Sequence, residues 1–276
     1  SVALNDVNLT STEGSPTFGW PGLAGRGGGA SADPLLAERW GAFVNAAYNW
    51  GKVDQTDLQD AYDFSNRGLV AGLDYRIGTD FVVGGAFSYQ KTRSDYDSNL
   101  GSVDASTYSL ALYGTYYKDN FYFDGLLGYG WIDYDTERVI DNPSTTSVAG
   151  INTRATASPR GNQWSLVVGG GYNFVREATT ITPFLRLGYL YVKNDAFQED
   201  EPNAGLALAV DERTVDSLQS ALGVRLSHAV GTSFGVVTPY LSAQWNHEFL
   251  PGQSSITSKY VNDPSNSFFT IPTEDA

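Results

Sequence analysis

The chain has 276 residues, a net charge of −14, 41% hydrophobic residues, 30 glycines and 17 tyrosines, and neither cysteine nor methionine. That acidity excludes nucleic acid as a partner, because phosphates demand basic stripes, and the lack of cysteine excludes disulfides and thiol chemistry. No run approaches 18 consecutive apolar residues, so a transmembrane helix is excluded and strands are the only means by which this chain spans a bilayer.

Residues 1–36 stand apart. Their stretch "GSPTFGWPGLAGRGGGASADP" carries too many prolines and glycines for a long helix or a regular strand and reads as a linker. Ser1 onward also lacks the basic and apolar regions of a signal peptide, so the natural N-terminus is expected upstream.

From Ala37 the sequence alternates, and nine strands are expected at 37–53, 61–78, 81–94, 105–118, 121–134, 162–175, 181–194, 211–228 and 234–249. The first contains "ERWGAFVNAAYNWG", with Trp40, Ala42, Val44, Ala46, Tyr48 and Trp50 on one face and Phe43 as the apolar exception on the other. Ten residues rise about 33 Å, or about 25 Å of height when tilted, which matches the apolar band of an outer-membrane barrel. An indole at each end of that band suits the two water–lipid boundaries.

The later strands repeat the pattern. Aromatic residues gather at strand ends, and Trp40, Trp50, Tyr75, Phe81, Tyr89, Tyr108, Phe121, Trp131, Trp164, Tyr191 and Trp245 are expected to form the membrane belts. Between them lie uncharged residues such as Leu73, Leu112, Leu127, Val168, Leu187 and Leu222. The opposite faces are small or polar. Asn45, Asp74, Arg76, Gln90, Arg186, Gln219, Arg225, Gln244, Asn246 and Glu248 are expected to face a lumen, where carboxylates and arginines line water and pair with one another. Leu126, Ile132, Leu190 and Val192 are impurities in this polar set, and Pro183 and Pro239 sit near strand starts, where a missing N–H is tolerated.

Alternation does not say which face looks outward; a lipocalin-type barrel turns its apolar set inward. The connections discriminate. "IGTD", "KDN", "REATT" and "AVGTS" are tight, and longer joins near 93–104, 135–161, 195–210 and from Leu250 onward alternate with them. Short inner turns and long outer loops mark outer-membrane barrels, so the apolar face is expected to meet lipid. The long joins are acidic, as in "RSDYDSN" and "NDAFQEDEPNAG", and read as solvated loops, with weak divalent-ion bridging to lipopolysaccharide as the sharper alternative.

A search for catalysis returns little. His228 and His247 lie at the ends of different strands, and no G-x-S-x-G, H-E-x-x-H or P-loop occurs. "GRGGG" lacks the strand and helix that flank a phosphate loop, and "DQTDLQD" lacks the glycine and final glutamate of an EF-hand. No enzyme, metal or cofactor is expected.

Several stretches, "SLALYGTYYKDNFYFDGLLGYGWIDYD", "QWSLVVGGGYNF", "TPFLRLGYLYVKNDAFQE", "SLQSALGVRLSH" and "TPYLSAQWNHEF", resemble the C-terminal β-domain of autotransporters, the translocators of type V secretion, over residues 37–276. The resemblance implies an all-β, antiparallel, up-and-down transmembrane barrel of twelve strands in the outer membrane, with loops exposed at the cell surface. It also implies a linker through the pore, an N-terminal passenger as cargo, and assembly by the barrel-assembly machinery. Two features depart from the family. "LNDVNLTS" has no Asn–Asn for self-cleavage, and the chain stops at "FFTIPTEDA" rather than in a strand ending in an aromatic residue, so about three further strands are expected beyond Ala276.

The leading expectation is therefore an outer-membrane translocator that anchors and exports a passenger. A small porin, with an open lumen and no passenger, is the first alternative. A surface adhesin acting through its acidic outer loops is the second.

Overall fold

The computed structural model describes residues 39–55, 60–142, 150–201, 205–233, 235–250 and 255–272. Residues 1–38, including all of the expected linker, lie outside them. Among the described residues seventeen strands form: β1 (Trp40–Val53), β2 (Tyr62–Ile77), β3 (Phe81–Tyr96), β4 (Gly101–Lys118), β5 (Phe121–Asn142), β6 (Ile151–Ala157), β7 (Arg160–Tyr172), β8 (Phe174–Arg176), β9 (Thr179–Asn194), β10 (Phe197–Gln198), β11 (Leu208–Val210), β12 (Arg213–His228), β13 (Val230–Thr232), β14 (Gly235–Val237), β15 (Tyr240–Glu248), β16 (Ser255–Tyr260) and β17 (Phe269–Pro272).

Nine of them make a curved wall in the order β1-β2-β3-β4-β5-β7-β9-β12-β15, each antiparallel to its neighbours. These correspond to the nine strands expected from alternation. The boundaries differ most in two places. β5 runs on to Asn142 and pairs beyond the wall with β6. The ninth wall strand starts only at Tyr240, because Pro239 stops the ladder and the expected tight join at 229–233 is a small β13–β14 hairpin. At the remaining short turns, Gly78, Asp119 and Glu177 take the left-handed conformation, with φ of 64°, 53° and 54°.

The expectation of a closed, twelve-stranded transmembrane barrel is not met. The wall is an open half-barrel whose edge strands, β1 and β15, stand 19 Å apart and do not pair. Strand parity is the physical reason: in an up-and-down meander the ninth strand runs parallel to the first, so these two edges have the wrong sense for an antiparallel ladder.

Curvature separates the two faces. Phe43 on β1 lies 6.1 Å, centroid to centroid, from Tyr113 on β4, although β2 and β3 intervene. Side chains meet across three strand spacings only on a concave side. There Ala111, Tyr113 and Leu126 are buried together, with Phe43, Ala86 and Val167 packed against them. Leu126, one of the apolar impurities of the polar set, thus belongs to the packed centre of the concave face, and Ile132, another, is buried at 4% exposure, whereas Leu190 and Val192 are half-buried.

Glycines make room for these rings. A Cβ on Gly84 would lie 2.4 Å from the Tyr113 ring, and one on Gly171 would lie 2.6 Å from the Tyr122 ring. Each ring lies over the backbone of a neighbouring strand, and nothing larger than hydrogen fits beneath it.

Candidate functional site: the two faces of the wall

On the convex face the apolar set is bare. Leu73 is 59% exposed, Leu112 67% and Leu222 56%, the reverse of a water-soluble protein's burial. Aromatic residues sit in two rows set by strand register. Near the short turns, Trp40 faces Tyr75, with rings 4.9 Å apart, and Phe81 faces Tyr116; Phe121 meets Tyr172 at 4.6 Å. Eight residues farther along β3 and β4, Tyr89 faces Tyr108 at 5.0 Å, and Trp131 lies opposite Tyr108 on β5. Tyr129 lies between Trp131, which it meets edge-on at 4.9 Å, and Trp164, which it meets at a tilt at 4.7 Å. Trp164 pairs in register with Tyr191, and Trp50 and Trp245 lie exposed on the two edge strands.

The concave face carries the polar set. Asp74 accepts a hydrogen bond from the Tyr113 hydroxyl at 3.3 Å and faces Gly41 on one side and Gly84 on the other. Asn45, Gln90 and Arg186 are half-buried, whereas Arg76, Gln219 and Asn246 are exposed. Arg225 lies over the Tyr240 ring at 5.7 Å, and Gln244 donates to Asn246 at 3.2 Å. Glu248 accepts from the Ser217 hydroxyl at 2.7 Å and from the N–H groups of Leu218 and Leu250 at 2.8 and 3.1 Å, which pins the end of β15. Buried polar atoms without a protein partner remain here, Gln163 Oε1 and Arg225 Nε among them. Such atoms need water or a polar chain.

A polar cap at the long-loop end was not legible in the sequence. Arg138 follows the parity of Leu126 and Ile132, so it extends the concave face beyond the wall. Its guanidinium grips Glu199 through Nε at 3.0 Å and Nη2 at 2.5 Å, and it donates to the Leu206 carbonyl at 3.0 Å. Glu201 is 7% exposed and accepts from the Thr153 hydroxyl and the Leu206 N–H. The β9–β12 join, expected as a solvated acidic loop, therefore folds inward onto β5 and β6. It continues into a small sheet ordered β10-β11-β16-β17. No pattern in the segment marked it, since "AFQEDE" sets three acidic residues in a row, as a solvated loop does. Replacing Arg138 with glutamine should leave Glu199 half-satisfied, at a cost of about 1–3 kcal/mol. Hydrogen exchange across residues 195–210 should rise while the wall strands stay protected; unchanged exchange would rule out this latch.

Beyond β16, Asp263 accepts from the Ser265 hydroxyl at 2.7 Å and from the N–H groups of Ser265 and Ser267 at 2.9 and 3.0 Å. These bonds, the Ser265 hydroxyl first, hold its carboxyl below the ordinary aspartate value. The turn is therefore supported above the ordinary carboxylate range, and that support fades as pH falls through the lowered value. Carbon-13 NMR should show Asp263 titrating below about 3.9, and titration at or above it would remove the bonds from the account.

Neither histidine joins a catalytic group. His228 shares a hydrogen bond with Thr179 at 2.8 Å, and His247 stacks on Trp245 at 5.5 Å. Among the described residues no cluster of His, Cys, Asp and Glu is set to hold a metal ion.

Comparison with known proteins agrees with this geometry. The family described as "Autotransporter beta-domain" matches residues 42–276. Two "Extracellular serine protease" sequences from Serratia marcescens are each 24% identical to the chain over 224 and 223 residues, 80% of its length. The chain spans only 20% of either relative. The fold is similar to the beta domain of the Bordetella autotransporter BrkA, with a TM-score of 0.55, 19% identity, and coverage of 81% of this chain and 88% of that one. It is also similar to the translocator domain of the autotransporter NalP from Neisseria meningitidis, with a TM-score of 0.59, 15% identity, and coverage of 82% and 78%. The chain belongs to the autotransporter beta-domain family, the outer-membrane translocator modules of type V secretion.

Proposed function

We propose that the concave face guides a passenger chain toward the cell surface while the convex face lies against lipid. One observation carries this reading: large apolar side chains are bare on the convex face, while unpartnered polar atoms, with Asp74, Arg186 and Arg225, collect on the other. A polar wall lets an unfolded backbone pass without leaving its N–H and C=O groups unsatisfied. The partners in this reading are the protein's own N-terminal passenger, outer-membrane lipid and lipopolysaccharide, and the barrel-assembly machinery during biogenesis. The protease activity in the relatives' names is no part of it.

In cells making the full-length protein, the passenger should become accessible to externally added protease, and deletion of residues 40–250 should leave it shielded. Passenger exposure that survives the deletion would overturn the reading.

Residues 1–36 are proposed to run along the concave face between wall and passenger. Gly25, Gly27, Gly28 and Gly29 are small enough to pass beside side chains, and Arg26 supplies a partner for Asp74 or Glu248. In the full-length protein, Arg26→Cys should form a disulfide with Asp74→Cys and none with Leu112→Cys, read as a mobility shift on non-reducing gels. No shift in either pair would place the segment elsewhere.

A further inference from the structure

We infer that β2 and β3 carry on their convex face a two-part site for a phosphorylated glycolipid of the lipopolysaccharide type. The inference rests on the outer-membrane placement of the wall and adds a specific ligand site to it.

The polar part is a pair of cations. Arg67 on β2 lies directly opposite Lys91 on β3, immediately beyond the Leu69–Tyr89 pair and toward the long-loop end. Like charges directly opposite each other in a sheet destabilise it unless an anion lies between them. Lys91 has a carboxylate only on its far side, Asp104 on β4 at 3.6 Å, and Arg93 is occupied by Asp95 and Asp104 at 2.7 and 3.1 Å. Arg67 is exposed and has no carboxylate within ion-pair reach among the described residues. Tyr48 on β1 and Ser106 on β4 flank the two cations in the same row and supply hydroxyls. The pair thus presents a guanidinium and an ammonium to a phosphate, with a hydroxyl-bearing residue in register on each outer side.

The apolar part lies directly below. On the same face, small residues at Ala42, Ala71 and Gly85 leave a hollow between the larger Val44, Phe87 and Leu112. Its volume is about 880 Å³, and it runs across the apolar band from β1 to β5, with Trp164 of β7 at its far end. Ala71 is four residues from Arg67 on one face of one strand, about 13 Å along it. That separation sets a headgroup phosphate at the boundary and acyl chains in the hollow. The cations lie at the long-loop end, the outer side of such a wall. A phosphate glycolipid of the outer leaflet is the occupant whose charge, apolar tails and leaflet all match.

The test uses the full-length protein extracted from outer membranes in mild detergent, with bound lipid counted by native mass spectrometry. Binding is then titrated with purified lipopolysaccharide, the same material dephosphorylated, and phosphatidylglycerol. Wild-type protein should retain lipopolysaccharide, and R67Q/K91Q should bind it about 30-fold more weakly, for about 1 kcal/mol lost per cation. A71F, which fills the hollow and keeps both cations, should also weaken it. Dephosphorylated material should bind wild type as weakly as the intact lipid binds R67Q/K91Q, a comparison that needs no altered protein. Passenger export should persist in both variants, so a lost lipid site leaves the translocator reading untouched. Three results would overturn the site: binding unchanged in both variants, phosphatidylglycerol held as tightly as lipopolysaccharide, or lipid and export lost together.

Discussion

Replacing Leu112 with arginine should destabilise the membrane-inserted fold by about 2–4 kcal/mol, the cost of a cation facing lipid near the bilayer middle. Leu112 is 67% exposed at mid-height on β4, between the rows marked by Tyr108 and Tyr116, with Gly85 and Leu127 beside it and no acidic partner in its row. Leu187→Arg on β9 should behave alike. The matching concave substitution requires care. Ser109 is the obvious neighbour, but it is only 2% exposed, and its hydroxyl oxygen would lie 2.6 Å from a Cβ on Gly130, so an arginine there fails for lack of space. Gln244 on β15 is exposed on the concave side and is the better comparison. Urea titration of the protein refolded into vesicles should show Leu112→Arg and Leu187→Arg strongly destabilised and Gln244→Arg close to wild type. Equal loss at all three would mean that the bare face does not meet lipid.

Gly84→Val should be the second damaging change. Its Cβ would lie 2.4 Å from the Tyr113 ring and 2.7 Å from the Leu73 carbonyl oxygen. The ring can move, but the carbonyl belongs to the β2–β3 ladder and cannot. Displacing Tyr113 also removes its hydrogen bond to Asp74 and its packing against Phe43. Overpacking of this kind costs about 1–3 kcal/mol, with the lost buried hydrogen bond in addition. Adding Tyr113→Ala to Gly84→Val should recover only part of the loss, because the backbone contact persists. A double-mutant cycle in urea measures the recovery, and complete rescue would mean that the ring alone sets the constraint.

The wall strands were legible in the sequence because a strand's period of two is rigid. Once Trp40, Val44 and Tyr48 alternate with Gly41, Asn45 and Asn49, register follows from strand to strand. The sense of the edges was legible as well, because nine strands in up-and-down order leave β1 and β15 running the same way. The closed barrel came from the family resemblance, not from that count. The cap was missed for another reason. Glu199 and Glu201 carry the charges expected of solvated loop residues, and only the distant Arg138 and Thr153 make their burial affordable. Ser109 shows a third limit. A small polar residue on a concave face is buried by its neighbours' side chains, and nothing in its own segment reveals the curvature.

The opposite roles of the two faces are tested most directly on β15, where neighbouring residues change sides and both sides are exposed. In the full-length protein, with passenger transit arrested part-way, photo-activated cross-linkers are placed in turn at Leu241, Gln244, Trp245 and Asn246. Cross-links to the passenger should come from Gln244 and Asn246, and cross-links to lipid from Leu241 and Trp245. Passenger captured at Leu241 and Trp245, or at all four sites alike, would contradict the account.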